Sequence, residues 1–186
     1  LSNILSRIFT EIIREFNWPK SMYWGDNYSL RWVRPLRSIT AVLFENEKRE
    51  RVPLHVRDIE SDIVTRAHHV MHPEFFDFKS INDYREKIAN GKVILQPQDR
   101  KKIIVQEGKR LAEARGFYLV EDDKLIEEIV GLTEFPIPLL GKIPEELLSI
   151  PEEVIITSMR EHQKFLSLRS SANGKVEGFL LITDLE

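Results

Sequence analysis

Asn173-Gly174 stands between two apolar runs, Phe165 to Arg169 and Val176 to Thr183, and few dipeptides constrain a chain more. Asn and Gly both accept the positive φ that a tight hairpin demands, so the two runs are predicted to pair antiparallel. A second pair of runs, Ser38 to Glu45 and Arg51 to Val56, flanks a polar turn at Glu45 to Lys48 and predicts another hairpin in the first half. Between them the apolar spacing changes to that of helices. Strands and helices therefore alternate irregularly, with antiparallel hairpins in both halves, which predicts an α+β fold of mixed and antiparallel sheets with flanking helices over a doubly wound parallel one.

The helices are read from the 3, 4 spacing of apolar residues. Ile4, Leu5, Ile8, Phe9, Ile12, Ile13 and Phe16 form one stripe, with Ser2 or Asn3 as cap and Pro19 beyond its end. A loop with Gly25, Asp26 and Asn27 follows. Ser80 opens a short helix with Ile81, Tyr84 and Ile88 on one face and Gly91 as its left-handed stop; Lys92 to Gln96 then reads as a buried strand. Asp99 is expected to cap a longer helix that closes at Gly116, with Gly108 costing its middle about 1 kcal/mol relative to alanine. A short strand at Phe117 to Val120 precedes a helix capped by Asp122 or Asp123 and buried through Leu125, Ile126, Ile129, Val130 and Leu132, which Pro136 and Pro138 terminate. Pro144 and Pro151, each followed by two glutamates, start two short helices. One α+β unit over residues 1–186 is expected, with a sub-boundary near 58–80.

Several functions are disfavoured by the residues. The longest apolar stretches, such as Phe179 to Ile182, fall far short of the roughly 20 residues of a bilayer-spanning helix. The opening stretch mixes charges among its apolar residues, unlike a signal peptide, and Leu1 in place of an initiator Met suggests a piece of a longer chain. Absence of cysteine excludes disulfides and thiolate metal sites and fits the reducing cytoplasm. The 8 glycines are scattered singly, so no phosphate-cradling loop is expected. Net charge is −3, yet residues 1–120 carry 21 basic and 16 acidic side chains, whereas residues 121–153 carry 2 and 10. The first part could face phosphates; the second could not.

Two clusters carry candidate chemistry. Trp18-Pro19-Lys20-Ser21-Met22-Tyr23-Trp24 and Arg31-Trp32-Val33-Arg34-Pro35-Leu36-Arg37 interleave cations with rings, a mixture that suits RNA because aromatics stack on bases while cations neutralise phosphates. The same residues could equally be tryptophan anchors with Arg34 and Arg37 in salt bridges. Thr65-Arg66-Ala67-His68-His69-Val70-Met71-His72-Pro73 gathers three imidazoles, with Glu74 and Asp77 as the nearest acids. Without cysteine, loop histidines that touch phosphate or simply pack are favoured there over a metal site, and none is assigned. His162-Gln163 after Met159 could be a polar contact or a satisfied helix end.

The order of these segments resembles the β subunit of the two-subunit, heterotetrameric bacterial glycyl-tRNA synthetase. Pro19, Lys20, Met22 and Trp24 fit that family's Pro-Lys-x-Met-x-Trp pattern, Val33, Arg34 and Pro35 fit most of its Phe-x-Arg-Pro, and Thr65 and His68 retain part of its Thr-x-Gly-His-Arg-Phe. Further similar blocks are Leu132-Thr133-Glu134-Phe135-Pro136, Pro151-Glu152-Glu153-Val154-Ile155, Thr157-Ser158-Met159 and His162-Gln163-Lys164-Phe165. Ala67, His69 and Val70 replace the Gly, Arg and Phe of the third pattern, and Tyr23 replaces a customary Arg.

The resemblance implies an N-terminal fragment of a glycine-tRNA ligase subunit, with tRNA contacts carried over to Lys20, Arg34, Arg37, His68 and His162 and no catalytic residue of its own. ATP and Mg would be used by the whole enzyme through the α subunit, with no cofactor in this fragment. Expected partners are that α subunit and tRNA(Gly), not DNA or a membrane. The family's early β region is similar in fold to the editing domain of the phenylalanyl-tRNA synthetase β subunit. Two alternatives stand beside tRNA binding: an editing-type deacylase of mischarged tRNA using Thr65, His68 or His69, and a scaffold that packs on other subunits through Ile4, Ile8 and Ile12.

Overall fold

The computed structural model describes residues 1–24, 30–45 and 48–185, and its contacts divide the chain into two compact units, Leu1–Ala67 with Pro73–Lys87 and His68–His72 with Ile88–Glu186. The architecture is α+β, as the alternation of hairpins and helices predicts. The loop at Gly25 to Asn27 and the centre of the Glu45 to Lys48 turn lie outside the described residues.

In the first unit, helix α1 (Ser2–Glu15) forms over the predicted apolar stripe. Neither candidate cap acts as one: the Ser2 hydroxyl donates to the Arg51 carbonyl at 3.3 Å, and Leu1 holds the N-cap position without a side-chain bond. Leu5 and Ile13 are half-buried, whereas Ile4, Ile8 and Ile12 stay 41–55% exposed. Strands β1 (Met22–Trp24) and β2 (Leu30–Trp32) form an antiparallel ribbon. Strand β3 (Ile39–Thr40) is followed by β4 (Val42–Glu45), which pairs with β5 (Lys48–Arg51), so the hairpin is tighter than expected and its second strand ends where Arg51 to Val56 was to begin. Chain β6 (His55–Val56) joins β7 (Ile59–Asp62) antiparallel, and β7 pairs β3 in parallel; β8 (Thr65–Arg66) pairs β9 (Phe75–Phe76). Val52, Leu54, Val56 and Phe78 form the buried centre. Ser61 is buried among them at little cost, because its hydroxyl accepts from Leu54 N at 2.9 Å and donates to Val52 O at 2.7 Å.

Helix α2 (Ile81–Asn90) begins as predicted, with Ser80 Oγ accepting from Asp83 N at 3.1 Å. Its stop differs. Lys92, at φ 61°, takes the left-handed conformation in place of Gly91. The buried strand expected at Lys92 to Gln96 does not form, because its carbonyls are claimed otherwise: the Arg100 guanidinium donates to Ile94 O and, at 3.2 Å, to Leu95 O. An arginine one turn into a helix thus does locally what a neighbouring strand would have done.

The second unit is an antiparallel sheet in the order β10 (Phe117–Leu119), β12 (Leu166–Ser170), β13 (Val176–Thr183), β11 (Ile137–Lys142). The Asn-Gly hairpin is present as β12 and β13, with Gly174 at φ 73°. Strand β11 was not anticipated, since its Pro138 argues against a central strand; the edge position removes the conflict, as an edge residue need not donate into a ladder on both sides. Helix α3 (Pro97–Glu113) starts with proline in its first turn, two residues ahead of Asp99, and α4 (Asp123–Leu132) is capped by Asp122. Both cover one sheet face through Ile104, Leu125, Ile126, Leu166, Leu168 and Leu180. Gly108 lies where α3 meets the sheet, and a Cβ there would stand 2.6 Å from Leu180 Cδ2, so the glycine that weakens the helix permits its packing.

Asp122 ties α4 to a later segment. Its carboxylate accepts from Leu125 N at 3.0 Å and from Arg160 Nε at 2.6 Å, and the guanidinium, then the capped N–H, hold its pKa below the ordinary value of 3.8. A carboxyl depressed by folding stabilises the fold above its unfolded pKa and loses that contribution as pH falls through the folded value. Stability supplied by Asp122 is therefore present at neutral pH and lost in the acid range below about 4. Asp122→Ala is expected to cost about 0.5–2 kcal/mol at pH 7, and urea titrations at pH 7 and pH 2.5 check that the penalty shrinks in acid.

Candidate nucleic-acid interface

The cation and aromatic segment is organised by three rings. Phe16 at the end of α1 meets Trp18 at 4.5 Å and Trp32 at 6.1 Å between centroids, and Trp18 meets Trp32 edge-on at 5.1 Å. This knot secures the β1/β2 ribbon, so Trp18 and Trp32 are anchors. The Trp24 side chain lies outside the described residues.

The charges do not follow the anchor reading. Lys20, Arg34 and Arg37 are exposed, and no ion pair holds any of them among the described residues. Met22 pairs with Trp32 at one end of the ribbon, and Lys20 and Arg34 each stand two residues beyond that pair, so both leave the same end. Arg37 follows three residues later. Exposed Tyr23 lies across the ribbon from Arg31, whose guanidinium is 6.0 Å from its ring centroid, while Arg31 Nε donates to Ser21 Oγ at 2.5 Å. One ring and several cations are thus presented by the same short ribbon and the chain leaving it, a composition that can stack on a base and neutralise neighbouring phosphates.

His68 requires a correction. Its side chain is 0% exposed, in the second unit, and a ribose-phosphate chain or an aminoacyl ester has no access to it. Nδ1 accepts from Val70 N at 3.3 Å and Met71 N at 3.1 Å, so the proton resides on Nε2, which donates to Asp184 Oδ2 at 3.2 Å. The other oxygen of Asp184 accepts from Glu134 N and Phe135 N at 2.8 and 2.7 Å. His68 and Asp184 therefore join the turn at residues 68–72, the α4 to β11 connection and the end of β13. Nothing in the sequence announces this partnership, since the two residues are 116 positions apart.

His68, His69 and Glu134 bring possible ligand atoms within 4.8 Å of one another. A metal on Nε2 would displace the Asp184 contact and put the ring proton on Nδ1, facing two backbone N–H donors, and a metal on Nδ1 would leave the Val70 and Met71 N–H groups without their acceptor. The ring's hydrogen bonds thus oppose ligation. His162 is exposed on the π turn at Met159–Gln163, in the second unit and remote in sequence from the ribbon. Its neighbour Arg160 is engaged with Asp122 and Glu161.

The feature missed by sequence reasoning is an apolar groove of about 350 Å³ in the second unit, between Ile143-Pro144 after β11, the 3-10 turn Glu145–Ser149, α5 (Glu152–Ser158), the π turn and Phe179 of β13. Phe165 and Phe179 line it as a stacked pair, centroids 4.9 Å apart and rings 10° from parallel. Gly141 makes room, for a Cβ there would stand 2.3 Å from Phe179 Cζ.

The comparisons with known proteins agree across the chain. A family model described as "Glycyl-tRNA synthetase beta subunit" matches residues 1–186. The "Glycine--tRNA ligase beta subunit" of Paracoccus denitrificans is 41% identical over 100% of this chain and 27% of the relative. Proteins of the same description from Dinoroseobacter shibae and Rickettsia canadensis are 40% and 37% identical, over 100% and 99% of this chain and 26% and 27% of their own lengths. The chain thus spans about a quarter of the length of the curated relatives it matches.

Proposed function

Since the chain belongs to the glycyl-tRNA synthetase beta subunit family, we propose that it is the RNA-contacting part of a glycine-tRNA ligase subunit, in which Lys20, Arg34 and Arg37 neutralise tRNA phosphates and Tyr23 offers a ring to an unstacked base. The observation that carries this reading is the exposure of those three cations, with no ion pair among the described residues, in the segments that enter and leave one end of the β1/β2 ribbon. Exposure is ordinary for Lys and Arg, so what supports the reading is that these cations share one short stretch with exposed Tyr23. Cations held for phosphate must be free to desolvate against it. ATP and Mg would serve the activation of glycine on an α subunit, in the cytoplasm; the scattered glycines of this chain offer no loop to hold a triphosphate. His68 is withdrawn from the contact set by its burial, and His162 is kept as a second, separate contact.

Counterion release gives the test. Each phosphate contact contributes about 0.7–0.9 to the slope of log K against log salt. Replacing Lys20, Arg34 and Arg37 together by alanine in the full-length subunit, assembled with its partner, is expected to lower the slope for tRNA by about 2–3. Filter binding over a salt series measures it. An unchanged slope would place the RNA elsewhere and refute the proposal without touching family membership.

A further inference from the structure

The groove of the second unit has no part in the RNA reading, and we infer that it is the docking site of a basic, amphipathic protein segment supplied by the remainder of the same full-length subunit. Its walls are nearly all apolar: Leu147, Ile150, Val154, Phe165 and Phe179 line it, and Ser158 and Gln163 are the polar side chains among the lining residues. Leu147, Ile150 and Val154 are 43%, 39% and 55% exposed, so the groove is open and its apolar surface continues onto its lip. The floor is built, since Gly141 exists opposite Phe179 in the β11/β13 ladder and leaves space for the ring to lie flat.

Charge selects the occupant. Glu145 and Glu146 precede Leu147 on the 3-10 turn, and Glu153 precedes Val154 on α5; all three are exposed without an ion pair among the described residues, against exposed Lys142 beside Ile143, so acids outnumber the free cation there. Unpaired carboxylates beside an apolar surface repel phosphates, anionic lipid and a second copy of this acidic face, and attract lysine and arginine flanking apolar anchors. A small metabolite would meet too few convergent polar groups to be oriented. A helix laid in such a groove meets it through anchors at i, i+3, i+4 and i+7. The source follows from length. The matched relatives extend well beyond this chain, which covers 27% of the first of them, and a segment tethered to the groove binds it as an intramolecular partner, without the cost of a second-order encounter.

The inference is independent of the RNA reading and is tested on the full-length subunit assembled with its partner. Benzoylphenylalanine incorporated in place of Val154 is expected, on irradiation, to cross-link within the same polypeptide to a Lys- and Arg-rich apolar segment outside residues 1–186. Cross-links to RNA, to another subunit or to a second copy, or no cross-link at all, would each overturn it. Charge reversal by E145K, E146K and E153K together is expected to accelerate amide exchange of the captured segment at least tenfold while leaving the exchange of β12 and β13 unchanged. Unaltered exchange in that segment would show that the acids do not hold it.

Discussion

Leu180→Ala is expected to destabilise the second unit by about 2–5 kcal/mol, because it removes a side chain from a site that cannot collapse. Leu180 is fully buried on β13, one of the two central strands, where it pairs with Leu166 and Leu140. Above it lies the bare backbone of Gly108 on α3. A Cβ on Gly108 would stand 2.6 Å from Leu180 Cδ2, so the vacancy left by three carbons is bounded by helix backbone as well as by the sheet. Guanidinium chloride unfolding followed by far-UV circular dichroism measures the effect. A loss below about 1 kcal/mol would mean that α3 settles onto the sheet and that the Gly108 contact does not hold the two apart.

His68→Ala is expected to cost about 2–4 kcal/mol, mainly from the cavity left by a fully buried ring and in part from stranding its part-buried partners. The Val70 and Met71 N–H groups lose their acceptor, and Asp184 loses the donor on one of its oxygens while still receiving Glu134 N and Phe135 N on the other. The informative readout is the contrast with RNA binding. The folded fraction of the variant should keep the salt slope of the parent, whereas a histidine that touched phosphate would flatten it. Unchanged stability together with a reduced slope would restore the sequence-based assignment and show that the buried turn opens.

Much of the second unit was legible because its signals are local. Asn173-Gly174 permits the turn that joins β12 to β13, Asp122 satisfies the N–H of Leu125 three residues on, and the spacing of Leu125, Ile126, Ile129 and Val130 places one face of α4 inward, whereas Leu132, read with them, is 60% exposed at the helix end. The misreadings share a cause. Lys92 to Gln96 has the composition of a strand, but its carbonyls are satisfied by Arg100. Gly91 is the obvious left-handed residue, yet Lys92 adopts that conformation. The π turn and the bulge between Leu168 and Arg169 shift registers by single residues, a change that composition does not report.

Candidate chemistry divides along the same line. The cations of the front half could be named from sequence because exposure is the ordinary condition of Lys and Arg, and Lys20, Arg34 and Arg37 conform to it. Histidine has no such default, and the run at residues 68–72 reads alike whether it faces phosphate or core.

The chain's own order of residues thus determined its class of fold, its hairpin in the second half, the caps of α2 and α4 and the family to which it belongs, since each depends on neighbours within a few positions or on collinear pattern. Tertiary structure alone decided that His68 is spent on Asp184, that Phe179 lies over Gly141, and that an apolar groove opens beside it. Those outcomes rest on contacts between residues far apart in the chain, whose energies exist only once the sheet has brought them together.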